Sequence, residues 1–345
     1  MKAAILEALE KLSIKDVDYP RAGPGEVLLK VKACAVCGSD IRIFHYGNPR
    51  VRPPAIIGHE ISGEVVEVGD GVKNFKKGDK IAVGADVPCG ECFYCQNGLG
   101  NNCPINYAIG YQFPGGFSEY LVLNSLTVRL GPVHHLPKGM SFAEGALAEP
   151  LACCLNALEL SHFHPGVDIV IFGAGPIGCM LIEVAKALGA KKVIVTQRSE
   201  KRLKMAEKFG ADVVISSTDP ELINKILRET GGGADIVLTA CPAVEAQAQA
   251  ISVARNRGFV NLFGGLPRGA APLCIDSNII HYKEIYVHGS HGSVPRHHKL
   301  ALDLISLGKV KIKNYISHCF PLDKIKEAFA MAEGKDGLKV IVENE

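Results

Sequence analysis

The stretch Asp168-Ile169-Val170-Ile171-Phe172-Gly173-Ala174-Gly175-Pro176-Ile177-Gly178 decides the fold, because an apolar strand runs directly into a glycine-rich turn. Glycines at this spacing allow a tight turn, a close approach of the backbone to a pyrophosphate, and close packing of the next helix on the strand. The N-terminus of that helix offers free N–H groups to an anion. A plain glycine turn is the alternative, but a helix and a second strand at 192–196 follow in the expected order. The predicted cofactor-binding residues of this turn are Gly173, Gly175, Pro176, Ile177 and Gly178.

The end of the second strand indicates which dinucleotide is bound. An acidic residue about 20 positions after the turn would hold the ribose 2′-OH of NAD. Gln197 stands at that point, and Arg198 and Arg202 follow it. The lack of a carboxylate removes repulsion against a 2′-phosphate, and a guanidinium binds phosphate through two parallel hydrogen bonds. We therefore favour NADP(H) over NAD(H), the alternative being that both arginines only form a solvated helix face.

The segments around this turn alternate between strand and helix patterns, which implies a doubly wound parallel sheet and an α/β fold class. The apolar strand segments lie at 168–172, 192–196, 211–215, 235–239 and 258–263. The first 150 residues instead show short strand patterns broken by glycine and proline, and they predict an all-β domain with inserted loops. Its clearest strands are 27–33, 63–68, 80–83 and 120–123. Two helical stretches and a final strand at 339–342 form a tail that we expect to pack back on the first domain.

The composition limits the class of protein. The chain has 345 residues, 47% of them hydrophobic, and a net charge of +2 with no block of basic residues, which argues against nucleic acid as a partner. No run of about 20 apolar residues would span a membrane, and the first residues do not resemble a signal or transit peptide. Twelve cysteines without a secretion signal indicate a reducing compartment. We therefore expect a soluble cytoplasmic protein.

Four cysteines in one glycine-rich loop predict a structural zinc site. Three recur at every third residue and a fourth follows after a short loop, and four converging thiolates satisfy a tetrahedral zinc ion. Disulfides or unrelated loop cysteines are the alternatives, but two-residue gaps in a reduced protein are typical of a metal site. The cysteines are Cys89, Cys92, Cys95 and Cys103.

A second set of possible metal ligands is split between Cys37-Gly38-Ser39-Asp40 and Gly58-His59-Glu60. Thiolate, imidazole and carboxylate are all ordinary zinc ligands, and a catalytic zinc keeps one position open. Taken alone, either element is more typical of a buried cysteine or of a hydrogen-bonded core histidine. Their occurrence together in one chain favours a reactive metal site.

These motifs occur in the order found in the zinc-dependent medium-chain alcohol dehydrogenases, so the chain resembles that family over essentially its whole length. It looks closest to the polyol (sorbitol-like) and threonine dehydrogenase branch. The resemblance implies a GroES-like β domain plus a Rossmann doubly wound parallel sheet domain. The expected domains are a GroES-like catalytic domain at 1–152 with the zinc lobe at 89–103, a Rossmann dinucleotide-binding domain at 153–290, and a return to the catalytic domain at 291–345.

The resemblance also implies a ligand set for the reactive zinc. In this branch a glutamate makes the third protein contact, and Glu149 matches its position, although a carboxylate at the start of a helix is the alternative. Glu60 matches a carboxylate that ligates in some relatives and lies behind the ligands in others. The implied set is Cys37, His59 and one or both of Glu60 and Glu149, so that each subunit holds two zinc ions.

The family mechanism assigns roles to further residues. Zinc acts as a Lewis acid on a substrate hydroxyl, and the nicotinamide takes up the hydride. Ser39 matches the hydroxyl that begins the proton relay. Glu60, the carboxylate next to His59, is also expected to be a catalytic residue. Arg42 stands where many relatives carry the outer histidine, so His45 is the substitute, with a surface histidine as the alternative.

The substrate is the least determined property. Gly292-Ser293 replaces an Arg-Tyr pair of polyol relatives, which argues against sorbitol itself, while Arg50 and Arg52 are candidates for binding a phosphate or carboxylate. We expect a polyol or sugar-derived small molecule and a homo-oligomer, either a tetramer or a dimer. The alternatives are an NAD-dependent threonine-type dehydrogenase, a zinc-free quinone or enoyl reductase, and a non-catalytic protein on the same fold.

Overall fold

The computed structural model describes residues 1–267, 269–334 and 336–344. The strands are β1 (Lys2–Ala8), β2 (Lys11–Asp16), β3 (Val27–Ala35), β4 (Glu60–Val68), β5 (Lys80–Val83), β6 (Asp86–Val87), β7 (Tyr107–Ala108), β8 (Tyr120–Leu123), β9 (Val133–His135), β10 (Asp168–Phe172), β11 (Lys192–Gln197), β12 (Val213–Ser216), β13 (Ala234–Thr239), β14 (Ala254–Leu262), β15 (Tyr286–Gly289), β16 (Ile316–Pro321) and β17 (Lys339–Glu343).

Helices of very different lengths connect these strands. The α-helices are α1 (Gly38–Tyr46), α2 (Phe93–Gln96), α3 (Ser125–Leu130), α4 (Phe142–Ala146), α5 (Ala148–Leu160), α6 (Pro176–Ala187), α7 (Glu200–Lys208), α8 (Leu222–Glu229), α9 (Val244–Ser252), α10 (Ser277–Lys283), α11 (Pro295–Ser306) and α12 (Ile325–Gly334). Short 3-10 turns lie at Gly100–Asn102, Ile312–Tyr315 and Leu322–Lys324. In the described part of the chain, no helix is both long and apolar enough to cross a membrane.

The chain divides into two compact units. One contains Met1–Ala152 and the described residues from Gly292 onward, and the other contains Cys153–His291. The tail therefore joins the first unit, as its last strand shows directly. In β17, Ile341 pairs with Ala35 of β3 in an antiparallel ladder.

The first unit is built on a sheet with the order β16-β17-β3-β4-β5-β9, in which β8 also pairs with β3. Its core is apolar and lies under this sheet, with Phe117, Ile57 and Leu29 fully buried. The unit is not all-β, because α1, α3, α4 and α12 belong to it. Local helix caps between the strands start some of these helices, such as the Asn124 side chain that accepts the Thr127 N–H at the start of α3.

The second unit is a six-stranded parallel sheet with the order β12-β11-β10-β13-β14-β15. β10 lies inside the sheet and is buried along its whole length, as expected for a parallel strand covered on both faces. The strand order reverses at β10, so the glycine-rich turn that follows it lies at the switch point where ligands bind in such sheets. The predicted fold class, a β domain plus a doubly wound parallel α/β domain, is confirmed.

Candidate active site

Three of the predicted metal ligands converge in the first unit. Cys37 immediately precedes α1, while His59 and Glu60 lie at the start of β4, which pairs with β3 through the Ala35 and Glu60 register. One donor atom from each of Cys37, His59 and Glu60 lies within 4.8 Å of the other two. The strand pairing thus brings together two sequence elements that are separated by 21 positions or more. A soft thiolate, an imidazole and a carboxylate form a donor set that suits zinc and leaves a coordination position for substrate.

The His59 imidazole is oriented by residues of α1. Its Nδ1 lies 3.4 Å from Oδ1 of Asp40, and its Nε2 lies 3.4 Å from the Ser39 hydroxyl. Asp40 is completely buried and also accepts the Cys37 backbone N–H at 2.9 Å. Although burial favours the neutral ring, Asp40 and Cys37 raise the pKa of His59 well above its usual value. Because Nδ1 faces Asp40, Nε2 is the ring nitrogen that is left to bind a metal, as in other histidines with a carboxylate behind them.

Glu60 is held in a buried ion pair. Both of its carboxylate oxygens lie 2.5 Å from the Nζ of Lys339 in β17, and the exposed fractions of the two side chains are 0% and 4%. Although burial opposes the charge, Glu60 raises the pKa of Lys339 above its usual value, so the pair is ionised. The ion pair compensates a charge that would otherwise be very costly to bury.

Glu149 is a second buried carboxylate close to these groups. Only 5% of the residue is exposed, and burial raises the pKa of its carboxyl to about 7. It interacts electrostatically with His59, Glu60, Asp86 and Lys339. Its oxygens lie outside the set of donor atoms that Cys37, His59 and Glu60 form among the described residues.

His45 lies in a different environment from Ser39. Its Nδ1 is 2.7 Å from Glu10 and its Nε2 is 3.0 Å from Glu333, two partly exposed carboxylates that raise its pKa. Six residues along an α-helix place two side chains about 9 Å apart along the axis and on different faces. The structure therefore brings Ser39 to the metal ligands, and it directs His45 towards Glu10 and Glu333.

The four-cysteine loop is folded for metal binding. Its four sulfur atoms all lie within 4.8 Å of one another, and the Sγ atoms of Cys89 and Cys95 are 3.8 Å apart. Sulfurs bound tetrahedrally at about 2.3 Å from zinc are separated by about 3.8 Å, whereas a disulfide needs about 2.05 Å. Although burial opposes it, backbone N–H groups lower the pKa of Cys103 to about 6, while burial raises that of Cys95 to about 12.

The glycine-rich turn has the shape that a dinucleotide requires. Gly173 has a φ of +110°, which residues with a side chain rarely adopt. A Cβ on Gly178 would lie 1.9 Å from the carbonyl oxygen of Gly173, so only glycine permits this packing of α6 on β10. Pro176 occupies the first turn of α6 and Ile177 follows it, which leaves the free N–H groups of this turn for an anion.

Of the predicted 2′-phosphate residues, Gln197 ends β11, Arg198 follows it, and Arg202 lies in α7. The guanidinium of Arg202 reaches the turn, because a Cβ built on Gly175 would lie 3.4 Å from Nη1 of Arg202. The Gln197 side chain accepts the backbone N–H of Arg198 at 2.6 Å, and Arg198 itself is exposed. The structure thus places one of the two arginines beside the turn.

Tyr111 and Arg50 extend the site on the side of His59. The Tyr111 ring lies 5.7 Å from the His59 ring between centroids, and its hydroxyl interacts with Ser39. The Arg50 guanidinium lies 4.6 Å over the Tyr111 ring, whereas Arg52 is exposed. Burial raises the pKa of Tyr111, so the phenol stays protonated near neutral pH.

Sequence reasoning missed three of these residues. Asp40 was quoted in the Cys37 element without a role, although an acid three residues into a helix that starts at a metal ligand is a recognisable signal. Lys339 and Tyr111 are far from the ligands in sequence, and no local pattern distinguishes them from a strand lysine and a loop tyrosine. Only the pairing of β17 with β3 brings Lys339 to Glu60.

Two family models match the chain. Residues 23–133 match the alcohol dehydrogenase GroES-like domain, and residues 176–306 match the zinc-binding dehydrogenase family. Curated relatives match over nearly their whole length. An L-threonine 3-dehydrogenase of Pyrococcus furiosus is 36% identical over 95% of this chain and 94% of the relative. A D-arabitol-phosphate dehydrogenase of Enterococcus avium is 34% identical, with 97% and 94% covered. A sorbitol dehydrogenase of Bombyx mori is 32% identical, with 99% and 97% covered.

Solved structures are similar to this chain over nearly its whole length. A protein of Sinorhizobium meliloti assigned to the zinc-binding dehydrogenases, bound to NADP, has a TM-score of 0.92 at 32% identity, with 99% of both chains covered. Galactitol-1-phosphate dehydrogenase from Escherichia coli has a TM-score of 0.90 at 27% identity over both complete chains. An alcohol dehydrogenase from Escherichia coli CFT073, complexed with NADH, has a TM-score of 0.90 at 28% identity, with 100% of this chain and 99% of the other covered.

Proposed function

Since the chain belongs to the zinc-dependent medium-chain alcohol dehydrogenase family, in the branch with the polyol and threonine dehydrogenases, we propose that it transfers a hydride between a secondary alcohol of a polyol or sugar-derived substrate and NADP. The observation that carries this proposal is the convergence of Cys37, His59 and Glu60 beside the Ser39 hydroxyl. The complete donor set argues against the zinc-free reductase and non-catalytic alternatives.

The metal ligands are Cys37, His59 and one or both of Glu60 and Glu149. Zinc bound by these residues would supply a Lewis acid able to lower the pKa of a substrate hydroxyl. Asp40 keeps the His59 ring in its ligating orientation, and Lys339 balances the charge of Glu60. A second zinc in the four-cysteine lobe stabilises the loop at 89–103 and takes no part in the reaction.

Ser39 is the first group that accepts the substrate proton in this proposal. Its hydroxyl lies at the metal ligands, where it contacts His59 and interacts with Tyr111. A hydroxyl can accept one hydrogen bond while it donates another, so it can pass a proton onward without becoming charged. Tyr111, rather than the distant His45, is the next polar group along this side of the site.

NADP is favoured over NAD by the end of β11. No carboxylate occupies the position of Gln197, and Arg202 lies beside the glycine turn, where it can bind a 2′-phosphate. The Sinorhizobium meliloti neighbour with bound NADP supports this choice, while the NADH complex of another neighbour shows that the fold accepts either cofactor. We assign cofactor binding to 153–290 and the chemistry to 1–152 with 291–345, and we propose a dimer or tetramer.

The test is the rate of reduced nicotinamide formation by the zinc-loaded protein with NADP⁺ and NAD⁺ in parallel. The panel contains polyols, sugar acids, phosphorylated polyols and L-threonine, since relatives named for arabitol phosphate and galactitol 1-phosphate share this architecture. We expect oxidation of a polyol-type substrate with NADP⁺. We also expect the R202Q variant to have a KM for NADP⁺ that is roughly 10-fold higher or more, and a KM for NAD⁺ that is nearly unchanged.

L-Threonine oxidation with NAD⁺ is the second candidate function. It is favoured by the 36% identity to L-threonine 3-dehydrogenase of Pyrococcus furiosus. Activity on L-threonine alone, with NAD⁺ and insensitive to R202Q, would replace both the polyol substrate and the NADP preference.

A further inference from the structure

We propose that Arg50 binds an oxyanionic group of the substrate, a phosphate or a carboxylate, and so selects anionic polyol derivatives over neutral ones. The inference rests on the proposed function, because it names the substrate class of the same site. It depends on how Arg50 is held, on what lies between it and the metal ligands, and on the absence of a counter-charge among the described residues.

Arg50 is held by hydrogen bonds at its backbone and at its guanidinium. Its backbone N–H donates to the Asn48 side chain at 2.9 Å, and the adjacent Val51 N–H donates to the Asn48 carbonyl at 2.9 Å. At the other end, Nη2 donates to the carbonyl oxygen of Asn106 at 2.6 Å, which also accepts the Gln112 side chain at 2.9 Å. A guanidinium fixed in this way loses little rotamer entropy when a ligand binds.

Tyr111 connects this guanidinium to the reacting groups. One face of the Tyr111 ring carries Arg50 at 4.6 Å, while the ring also lies 5.7 Å from the His59 imidazole. A single aromatic ring therefore separates the Arg50 charge from a metal ligand. A substrate of a few carbon atoms that places one hydroxyl at the metal ligands can place its other end near Arg50.

Arg50 has no carboxylate partner among the described residues. Two other arginines do form ion pairs: Arg255 with Asp235 at 2.6 Å, and Arg21 with Glu67 at 3.3 Å. Within residues 1–267, 269–334 and 336–344, no carboxylate lies within ion-pair distance of Arg50, and its Nε is buried without a hydrogen-bond partner. A half-buried guanidinium in this state is well suited to an incoming anion.

The chemistry of the guanidinium limits the ligand to an oxyanion. One N–H of Nη2 is bound to Asn106 and Nε is buried, but Nη1 and the second N–H of Nη2 still form two parallel donors that match two oxygens of a phosphate or a carboxylate. A neutral hydroxyl would bind the guanidinium more weakly than an oxyanion, since hydrogen bonds between charged groups are roughly twice as strong as neutral ones. Arg50 is therefore proposed to act on specificity, by binding the end of the substrate that does not react.

The experiment compares three six-carbon ligands that differ at one end: sorbitol, sorbitol 6-phosphate and gluconate. Binding to the zinc-loaded protein with saturating NADP⁺ is measured by calorimetry, and turnover is measured in parallel. The variant is R50Q, and the matched control is R129Q, which removes the same charge from an exposed position of α3. We expect the wild-type protein to bind at least one anionic ligand about 10- to 100-fold more tightly than sorbitol, and R50Q to abolish that difference.

Each outcome decides the inference. Whichever of the phosphate and the carboxylate shows the Arg50-dependent gain identifies the anion. Equal binding of all three ligands by the wild-type protein, an unchanged preference in R50Q, or an equal loss in R129Q would overturn the proposal. Sorbitol binding should be the same in R50Q and wild type, and its loss would mean that Arg50 only supports Tyr111. Preferential binding without turnover of any panel substrate would refute the proposed reaction and leave the anion site standing.

Discussion

At the scale of single residues, Glu60 and Lys339 form an ion pair inside the first unit. Both side chains are buried, and both oxygens of the carboxylate contact the same ammonium. Burial of either charge alone would cost several kcal/mol, whereas the pair compensates most of that cost. Because Lys339 contacts both oxygens, the pair also restricts rotation of the Glu60 carboxylate towards a metal. Lys339, in the last strand, therefore affects whether Glu60 can act as a ligand.

The variant K339M is expected to lower the free energy of unfolding by about 3–5 kcal/mol, because it leaves an unpaired buried carboxylate. Urea unfolding at pH 7 measures this, with zinc content determined in parallel. K2M is the control, since Lys2 forms an exposed pair with Asp323 whose loss should cost about 1 kcal/mol or less. The double variant K339M/E60Q should recover a large part of the stability. A similar decrease in the free energy of unfolding in K2M and K339M would show that the buried pair contributes no more to stability than the exposed one.

At the scale of secondary-structure elements, β9 and α11 meet through a pair of histidines. Nδ1 of His134 lies 3.0 Å from Nδ1 of His298, and the rings are stacked with centroids 5.2 Å apart. Burial lowers the pKa of His298 to about 3, and burial together with Lys299 lowers that of His134 to about 4, against the opposing effect of Asp303. Both rings are therefore neutral in the folded protein over the physiological range, and one donates to the other.

This pair predicts a loss of stability in acid. The unfolded chain binds protons at these histidines below about pH 6.5, while the folded chain does so only near pH 4 and pH 3. The contribution of these histidines to the free energy of unfolding is therefore complete above pH 6.5 and decreases as the pH falls. Between pH 7 and pH 5, the free energy of unfolding of the variant H298Q should therefore decrease by about 2 kcal/mol less than that of the wild type. Urea unfolding at the two pH values measures this. H164Q, which changes an exposed histidine, should behave like wild type. Parallel pH curves for H298Q and wild type would contradict the assignment.

Elements with a strong local signal were predictable, and those that depend on distant partners were not. β10 has the bounds 168–172 that its apolar run predicts, because a strand buried on both faces needs no alternation. β15 was missed because it is an edge strand with mostly exposed side chains, and β12 begins two residues later than its apolar run suggests. In the site, Cys37 and His59 were recognisable from motifs. Tyr111, Lys339 and the isolated charge of Arg50 became visible only through tertiary contacts.

At the scale of the whole molecule, the chain consists of two compact units with separate cores and separate ligands. The predicted metal ligands all lie in Met1–Ala152, while the glycine turn lies in Cys153–His291. Ligands stabilise the part of a protein that binds them, by mass action. Zinc and dinucleotide should therefore act on different segments of one chain.

Removal of zinc is expected to loosen the four-cysteine lobe without affecting the parallel sheet. Hydrogen exchange measured by mass spectrometry should increase at 89–103 after treatment with a chelator and stay unchanged in β10, β11 and β13. Addition of NADP⁺ should instead protect the segment at 173–178. The variant C103S, which lacks one thiolate of the lobe, should show the chelator pattern without chelator. A uniform increase along the chain would mean that the two units do not respond separately.

The pairing of β17 with β3 has a consequence for the biosynthesis of the enzyme. A ribosome that has translated residues 1–338 has already produced Cys37, His59 and Glu60, but it has not yet produced the ammonium that neutralises Glu60. During this interval the carboxylate has no ion-pair partner and is a more available ligand for whichever divalent cation is abundant. We therefore expect the coordination of Glu60 at this site to become fixed only when β17 docks and Lys339 reaches the carboxylate. The four-cysteine lobe, whose ligands span only 15 positions, can acquire its metal long before.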